Sequence, residues 1–145
     1  MGLKWASVVG FVILVVALIA LYVRGELFDP RPVPIALQVL AGLLMVWARL
    51  TFGTRSFHAS ANPTAGGLVT TAPYAYVRHP IYAAVLLFLG VGVATHPSFA
   101  TLCIFGIAIA GAATRMFAEE VMVTERYPEY AQYAARTKRV IPFVV

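Results

Sequence analysis

"PYAYVRHPIYAAVLLFLG", residues 73–90, decides how this chain reads. The tyrosine-flanked Arg78-His79-Pro80 passes without a spacer into an unbroken apolar run. The apolar half has the character of a helix in lipid, and the polar half places a cation and an imidazole at its mouth. Pro80 suits the first turn of that helix, because it has no N–H to leave unpaired. The rest of the chain is consistent with lipid as its solvent. Its 145 residues are 61% hydrophobic and only 12% charged, about half the charged share of a soluble domain. A chain of this length is one domain, residues 1–145.

Working outward from that stretch, four segments have the length or apolarity to cross a bilayer. Ala6 to Val23 is unbroken and apolar; Val33 to Phe52 is apolar apart from Gln38 and Arg49; Ile81 to Thr95 is short; Ser98 to Ala118 follows the "HP" at 96–97. The first is long for a signal-peptide core and lacks an A-x-A cleavage site, so it reads as a retained anchor. The expected fold is all-α: a polytopic membrane bundle of about four transmembrane helices plus an amphipathic C-terminal helix. Residues 1–53 supply two spans, 54–79 a cytoplasmic loop, 80–118 a transmembrane hairpin and 119–145 a cytoplasmic segment. With four spans, Lys4, Arg49, Arg55, Arg78, Arg115, Arg126, Arg136, Lys138 and Arg139 fall on one side, and only Arg24 and Arg31 on the other. That bias puts both termini in the cytoplasm. The net charge of +5 is a topology signal that also favours membrane lipids with anionic headgroups. No separate basic domain exists for nucleic acid.

A hairpin of the last two spans brings distant residues to one depth. Fifteen residues from Ile81 rise about 22 Å, and the run from Ser98 to Ala118 descends about 31 Å. The Arg-His-Pro corner therefore sits level with the turn before Glu119. Small residues at helical spacing, Ala83, Gly90 and Ala94 on one span and Gly106, Ala110 and Ala113 on the other, are expected to pack the hairpin tightly. The helix start and Arg78 form a cationic half suited to a carboxylate. Glu119 and Glu120 form an anionic half suited to an amine or hydroxyls. Arg115 is one turn from Glu119 and can pair with it. A zwitterionic ligand matches such a site.

Taken singly, the same residues have blander readings. Arg78 serves equally as a positive-inside anchor, His79 as an interfacial polar residue, and Glu119 and Glu120 as a solvated helix end. Glu125 and Glu129 read as a solvated face. His58 and His96 have no partners at metal-ligand spacing, and no metal site is expected.

"APYAYVRHPIYAAVLLFLGVG", then "EE" some forty residues on, then "YPEYAQYAARTKRVIPF" resemble the isoprenylcysteine carboxyl methyltransferase family, which belongs with the membrane phospholipid methyltransferases. The resemblance covers about residues 66–143. It implies S-adenosyl-L-methionine as cofactor, bordered by Arg78, His79, Pro80 and Tyr82, with Glu119 and Glu120 as the acidic pair. It implies that Tyr130, Tyr133 and Arg136 face the acceptor, with Arg136 near the reacting group, and that Ile141, Pro142 and Phe143 close over the cofactor. Arg136 and His79 are the catalytic candidates, the first to orient a carboxylate, the second to accept a proton from an amine or hydroxyl. The acceptor is then a lipophilic small molecule or prenylated compound reached from the bilayer. The short, bacterial-type form points to the bacterial inner membrane. Ala72, Ala84 and Tyr127-Pro128 depart from the family pattern, which leaves the acceptor open. Two other readings are an NADPH-dependent enzyme like the membrane sterol reductases and a small non-catalytic membrane subunit. Nothing in the sequence speaks to the oligomeric state.

Overall fold

The computed structural model describes residues 2–53 and 67–142. Five helices follow one another: α1 (Gly2–Val23), α2 (Pro32–Phe52), α3 (Pro80–Thr95), α4 (Phe99–Arg126) and α5 (Tyr130–Arg136). Among the described residues there is no strand, only an isolated parallel bridge between Val77 and Lys138. The expectation of an all-helical membrane bundle is met.

The punctuation is local. α2 opens on proline and closes at Gly53, whose φ of 72° lets its N–H reach back to the Arg49 carbonyl. The Ser98 side chain accepts from the Thr101 N–H while Thr101 accepts from the Ser98 N–H, a reciprocal box that starts α4. α4 ends where Tyr127, extended at φ −127° and ψ 94°, precedes Pro128, which disfavours helix at the residue before it.

α1, α2 and α4 are each long and apolar enough to cross a membrane. α3, with 16 residues, spans about 24 Å at 1.5 Å per residue, short of a 30 Å core but workable beside longer neighbours. Val16, Leu40, Leu43 and Leu102 are exposed, as lipid-facing side chains should be. The interior is built from Leu14, Ala17 and Leu21 of α1, Leu89 and Val93 of α3, and Ala108, Ala112 and Met116 of α4, with Leu27 capping the far end. The polar exception in α2, Gln38, is buried and donates to the Leu27 carbonyl at 2.8 Å, so no unsatisfied amide faces the apolar interior.

Two sequence expectations change. α4 lies mainly along α1 and α3 along α2, with a slighter α3–α4 contact. On the expected hairpin stripe Ala94, Ala110 and Ala113 are exposed and Gly106 faces open space. Gly90 does meet α4, with the Phe105 ring 3.2 Å from where a Cβ would stand. The tight backbone approach is between α1 and α4 instead. A Cβ on Gly10 would lie 2.5 Å from the Gly111 carbonyl oxygen, and one on Gly111 would lie 2.7 Å from Ile13 Cγ2. Close approach needs small residues on both facing surfaces, and Gly10 and Gly111 stand opposed across the α1–α4 face. The second change is at the C-terminus. No breaker follows Ala118 until Pro128, so α4 carries Glu119 and Glu120 inside its last turns. The amphipathic C-terminal helix is thus the end of α4 followed by the seven-residue α5.

Leu3 packs against Ala118 and Met122, so the start of α1 and the end of α4 share one end of the bundle. The segment after α5 returns to the same end, where Val77 and Lys138 form their bridge.

Candidate functional site

That shared end holds Arg78, His79, Arg115, Glu119, Glu120 and Arg139. Before α3, the chain from Val77 to His79 is laced to the C-terminal strap, residues 137–142. The Arg78 N–H donates to the Lys138 carbonyl at 2.7 Å and the His79 N–H to the Arg139 carbonyl at 2.9 Å. The loop is held from two further directions. Thr51 Oγ1 donates to the Ala72 carbonyl at 3.2 Å, and the Tyr133 hydroxyl donates to the Tyr74 carbonyl at 2.7 Å. The Arg-His-Pro corner is therefore fixed before its own side chains are considered.

Its side chains meet the acidic pair of α4. Glu120 Oε1 accepts from Arg78 Nε at 3.0 Å and lies 3.1 Å from His79 Nε2. Arg139 closes on the same carboxylate, with Nη2 2.9 Å from Oε2. Glu119 Oε1 accepts from the Tyr82 hydroxyl at 2.5 Å and from Arg115 Nε at 3.1 Å, and Arg115 also donates to the Tyr82 oxygen. His79 Nδ1 stands 3.7 Å from Glu119 Oε2, so the imidazole lies between both carboxylates. Arg115 is buried, and its Nη1 reaches the Ser7 carbonyl at 3.3 Å while its guanidinium stacks over Phe11. Among the described residues, no buried side-chain polar atom is left without a partner. A charge network at this depth is stable only when satisfied in this way.

The structure brings together Arg78, His79, Pro80, Tyr82, Glu119 and Glu120, as the sequence implied. It gives Arg78 a different task from the one expected. Its Nε goes to Glu120, and its Nη1 goes to the carbonyls of Ala134 at 2.9 Å and Thr137 at 2.5 Å. The fork expected to face a ligand carboxylate is holding Glu120 and the strap. Tyr130 and Tyr133 are buried and stack edge to face at 5.7 Å. Burial pushes the Tyr133 phenol up to about 12, against the opposing pull of Arg78, and raises Tyr130 as well. Both are therefore hydrogen-bonding groups and not bases near neutral pH. Arg136 is exposed at the end of α5 and donates back to the Gln132 carbonyl at 3.3 Å, outside the network. Ile141 and Pro142 are exposed on the strap, while Val140 packs on the core. Phe143, His58 and residues 54–66 of the expected loop lie outside the described residues. No group of three metal-ligating side chains occurs among the described residues.

Beside the network is an open cleft of about 390 Å³ lined by Phe117, Val121, Thr124, Glu120, Glu125 and Arg139. Its Phe117 is exposed, and its charged rim joins Glu120. Arg139 is the participant that sequence reasoning missed. The signal was the cationic run Arg136, Lys138 and Arg139, which topology alone had explained.

The family model described as phospholipid methyltransferase matches residues 32–130. The chain belongs to that family. Two further parts of the molecule lie outside the matched residues: α1, which seats Arg115, and the strap that carries Arg139. Among curated proteins, a similar one is the cobalt-zinc-cadmium resistance protein CzcN of Cupriavidus metallidurans, 36% identical over 77 residues. The alignment covers 52% of this chain and 35% of that protein, so the chain spans about a third of its relative. No solved structure matches. Membership in the family and the apolar helices together make this a membrane protein of the phospholipid methyltransferase family.

Proposed function

We propose that the protein is an integral membrane methyltransferase that uses S-adenosyl-L-methionine to methylate a lipophilic acceptor at the cytoplasmic membrane interface. The observation that carries this reading is the meeting of the acidic pair of α4 with the Arg-His-Pro corner of α3, beside a cleft that is apolar on one flank and charged on the other.

The donor set fits the cofactor. Glu119 and Glu120 keep partial exposure, 25% and 13% of their side chains, and offer acceptors for an amine and for ribose hydroxyls. Arg78 and His79 hold Glu120 in place, while Tyr82 and Arg115 hold Glu119. When bound, S-adenosyl-L-methionine supplies a methyl group already activated by its sulfonium. What remains for the chain is alignment and exclusion of water. Pro80, Ile141 and Pro142 border the cofactor from the corner and the strap.

The acceptor comes laterally from the bilayer along Phe117 and Val121. A carboxylate acceptor, such as that of a prenylated thiol compound, needs orientation alone, and exposed Arg136 supplies it, with Tyr130 and Tyr133 shaping the wall behind. A lipid amine or hydroxyl needs a proton acceptor, and His79, bordered by both carboxylates, takes that part. Isothermal titration of the full chain in lipid nanodiscs tests the cofactor. S-adenosylhomocysteine is expected to bind and NADP not to bind, and the reverse would replace this reading with a reductase.

A further inference from the structure

Three residues converge on Glu120, and they differ in freedom. The Arg78 side chain is 9% exposed and also holds two carbonyls of the C-terminal segment. His79 is buried. The Arg139 side chain is 50% exposed, and its hydrogen bonds all end on Glu120. The two oxygens of Glu120 differ in the same sense. Oε1 is held by Arg78 and His79 and also accepts from Arg139 Nε at 3.2 Å, whereas both contacts to Oε2, at 3.2 and 2.9 Å, come from Arg139 alone. Both partners line the cleft.

We propose that Arg139 is the residue that takes the carboxylate of the cofactor's amino-acid end, by swinging off Glu120 Oε2 as the cofactor's amine takes its place there. The inference rests on the methyltransferase reading. The exchange is neutral in charge: one protein ion pair opens and two protein–ligand pairs form, so no charge is left uncompensated. Glu120 does not move, because Arg78 and His79 keep Oε1. The Arg139 backbone does not move either, because its carbonyl accepts from the His79 N–H at 2.9 Å. Only an exposed side chain rotates. The planar fork that now grips one carboxylate matches the geometry of another. Arg78 has no such freedom, since its departure would release Ala134 and Thr137. In the resting molecule the Glu120–Arg139 pair is thus a stand-in for the zwitterion that replaces it.

The test compares two ligands that differ by one group. S-adenosylhomocysteine carries the carboxylate, and S-adenosyl-3-thiopropylamine is the same molecule without it. Titrated into the full chain in nanodiscs, the first should bind wild-type protein at least roughly tenfold more tightly, as expected for a charge-assisted contact. In Arg139→Gln the preference should fall below about threefold, with the affinity for the decarboxylated compound unchanged or higher. A preference that survives Arg139→Gln, or an equal loss for both compounds, overturns the assignment. So does wild-type protein that binds both equally. If neither compound binds wild-type protein, the methyltransferase reading itself fails. Should Arg139→Gln not melt like wild type, Arg139→Lys takes its place. It keeps the charge without the fork, and it should lower the preference severalfold. An unchanged preference there overturns the proposal.

Discussion

Glu120→Gln should destabilise the molecule, and the structure says by how much. The carboxylate is 13% exposed and receives Arg78, His79 and Arg139. The amide keeps the shape, removes the charge and turns one acceptor into a donor facing cations. Arg78, with 9% of its side chain exposed, is left as the uncompensated group. Breaking a buried pair from one side costs about 3–5 kcal/mol. Arg139 can turn to water, so the low end, about 3 kcal/mol, applies. At about 3 °C per kcal/mol for a chain of this size, the melting temperature should drop by roughly 9 °C. The assay is a thermal melt in detergent, read beside Glu129→Gln. Glu129 is exposed at the start of α5, and its substitution should stay within about 0.5 kcal/mol of wild type. If the two variants melt within about 2 °C of each other, the ion pairs to Glu120 contribute nothing, and the argument from burial is refuted.

Helix pairing gives a second test. Gly10→Ala should lower stability by about 1–3 kcal/mol in the same melt, because its Cβ would meet the Gly111 carbonyl oxygen at 2.5 Å. Gly106→Ala, facing open space, should be silent; the opposite ranking would restore an α3–α4 hairpin as the tight pair. The topology is checked by labelling with an impermeant thiol reagent in a Cys103→Ala background. Phe28→Cys and His96→Cys should react from outside and Ile141→Cys should not, and outside labelling at 141 would invert the orientation and remove the cofactor's access.

Much of this architecture is legible in the chain because lipid is a demanding solvent. Four apolar runs and the proline that opens α3 act locally and lie where the sequence puts them, although α4 runs on past Ala118 to Arg126, just before Pro128. The meeting of the Arg-His-Pro corner with Glu119 and Glu120 is legible too, because two antiparallel helices of known rise must return to the same depth. What escapes is choice of partner. Gly10, Gly90, Gly106 and Gly111 look alike at helical spacing, and only three dimensions show that Gly10 opposes Gly111 while Gly106 opposes nothing. The task of Arg78 escapes for a related reason. Its ligands are Ala134 and Thr137 carbonyls, and main-chain acceptors carry no side-chain signature. Arg139 reaches Glu120 only because the strap bridges back to Val77, a long-range pairing without periodicity of its own.

The central claim is that the acidic pair of α4 and the corner of α3 form the cofactor site. The most direct measurement is the dissociation constant of S-adenosylhomocysteine for Glu119→Gln against that for Glu129→Gln, each checked for folding by its melt. A carboxylate hydrogen-bonded to a bound ligand contributes about 1.5–3 kcal/mol. Glu119→Gln should therefore weaken binding roughly ten- to hundredfold, while Glu129→Gln should change it less than about threefold. Equal affinities in the two variants would mean that Glu119 and Glu120 are only a charged helix end, and the cofactor would have to be placed elsewhere.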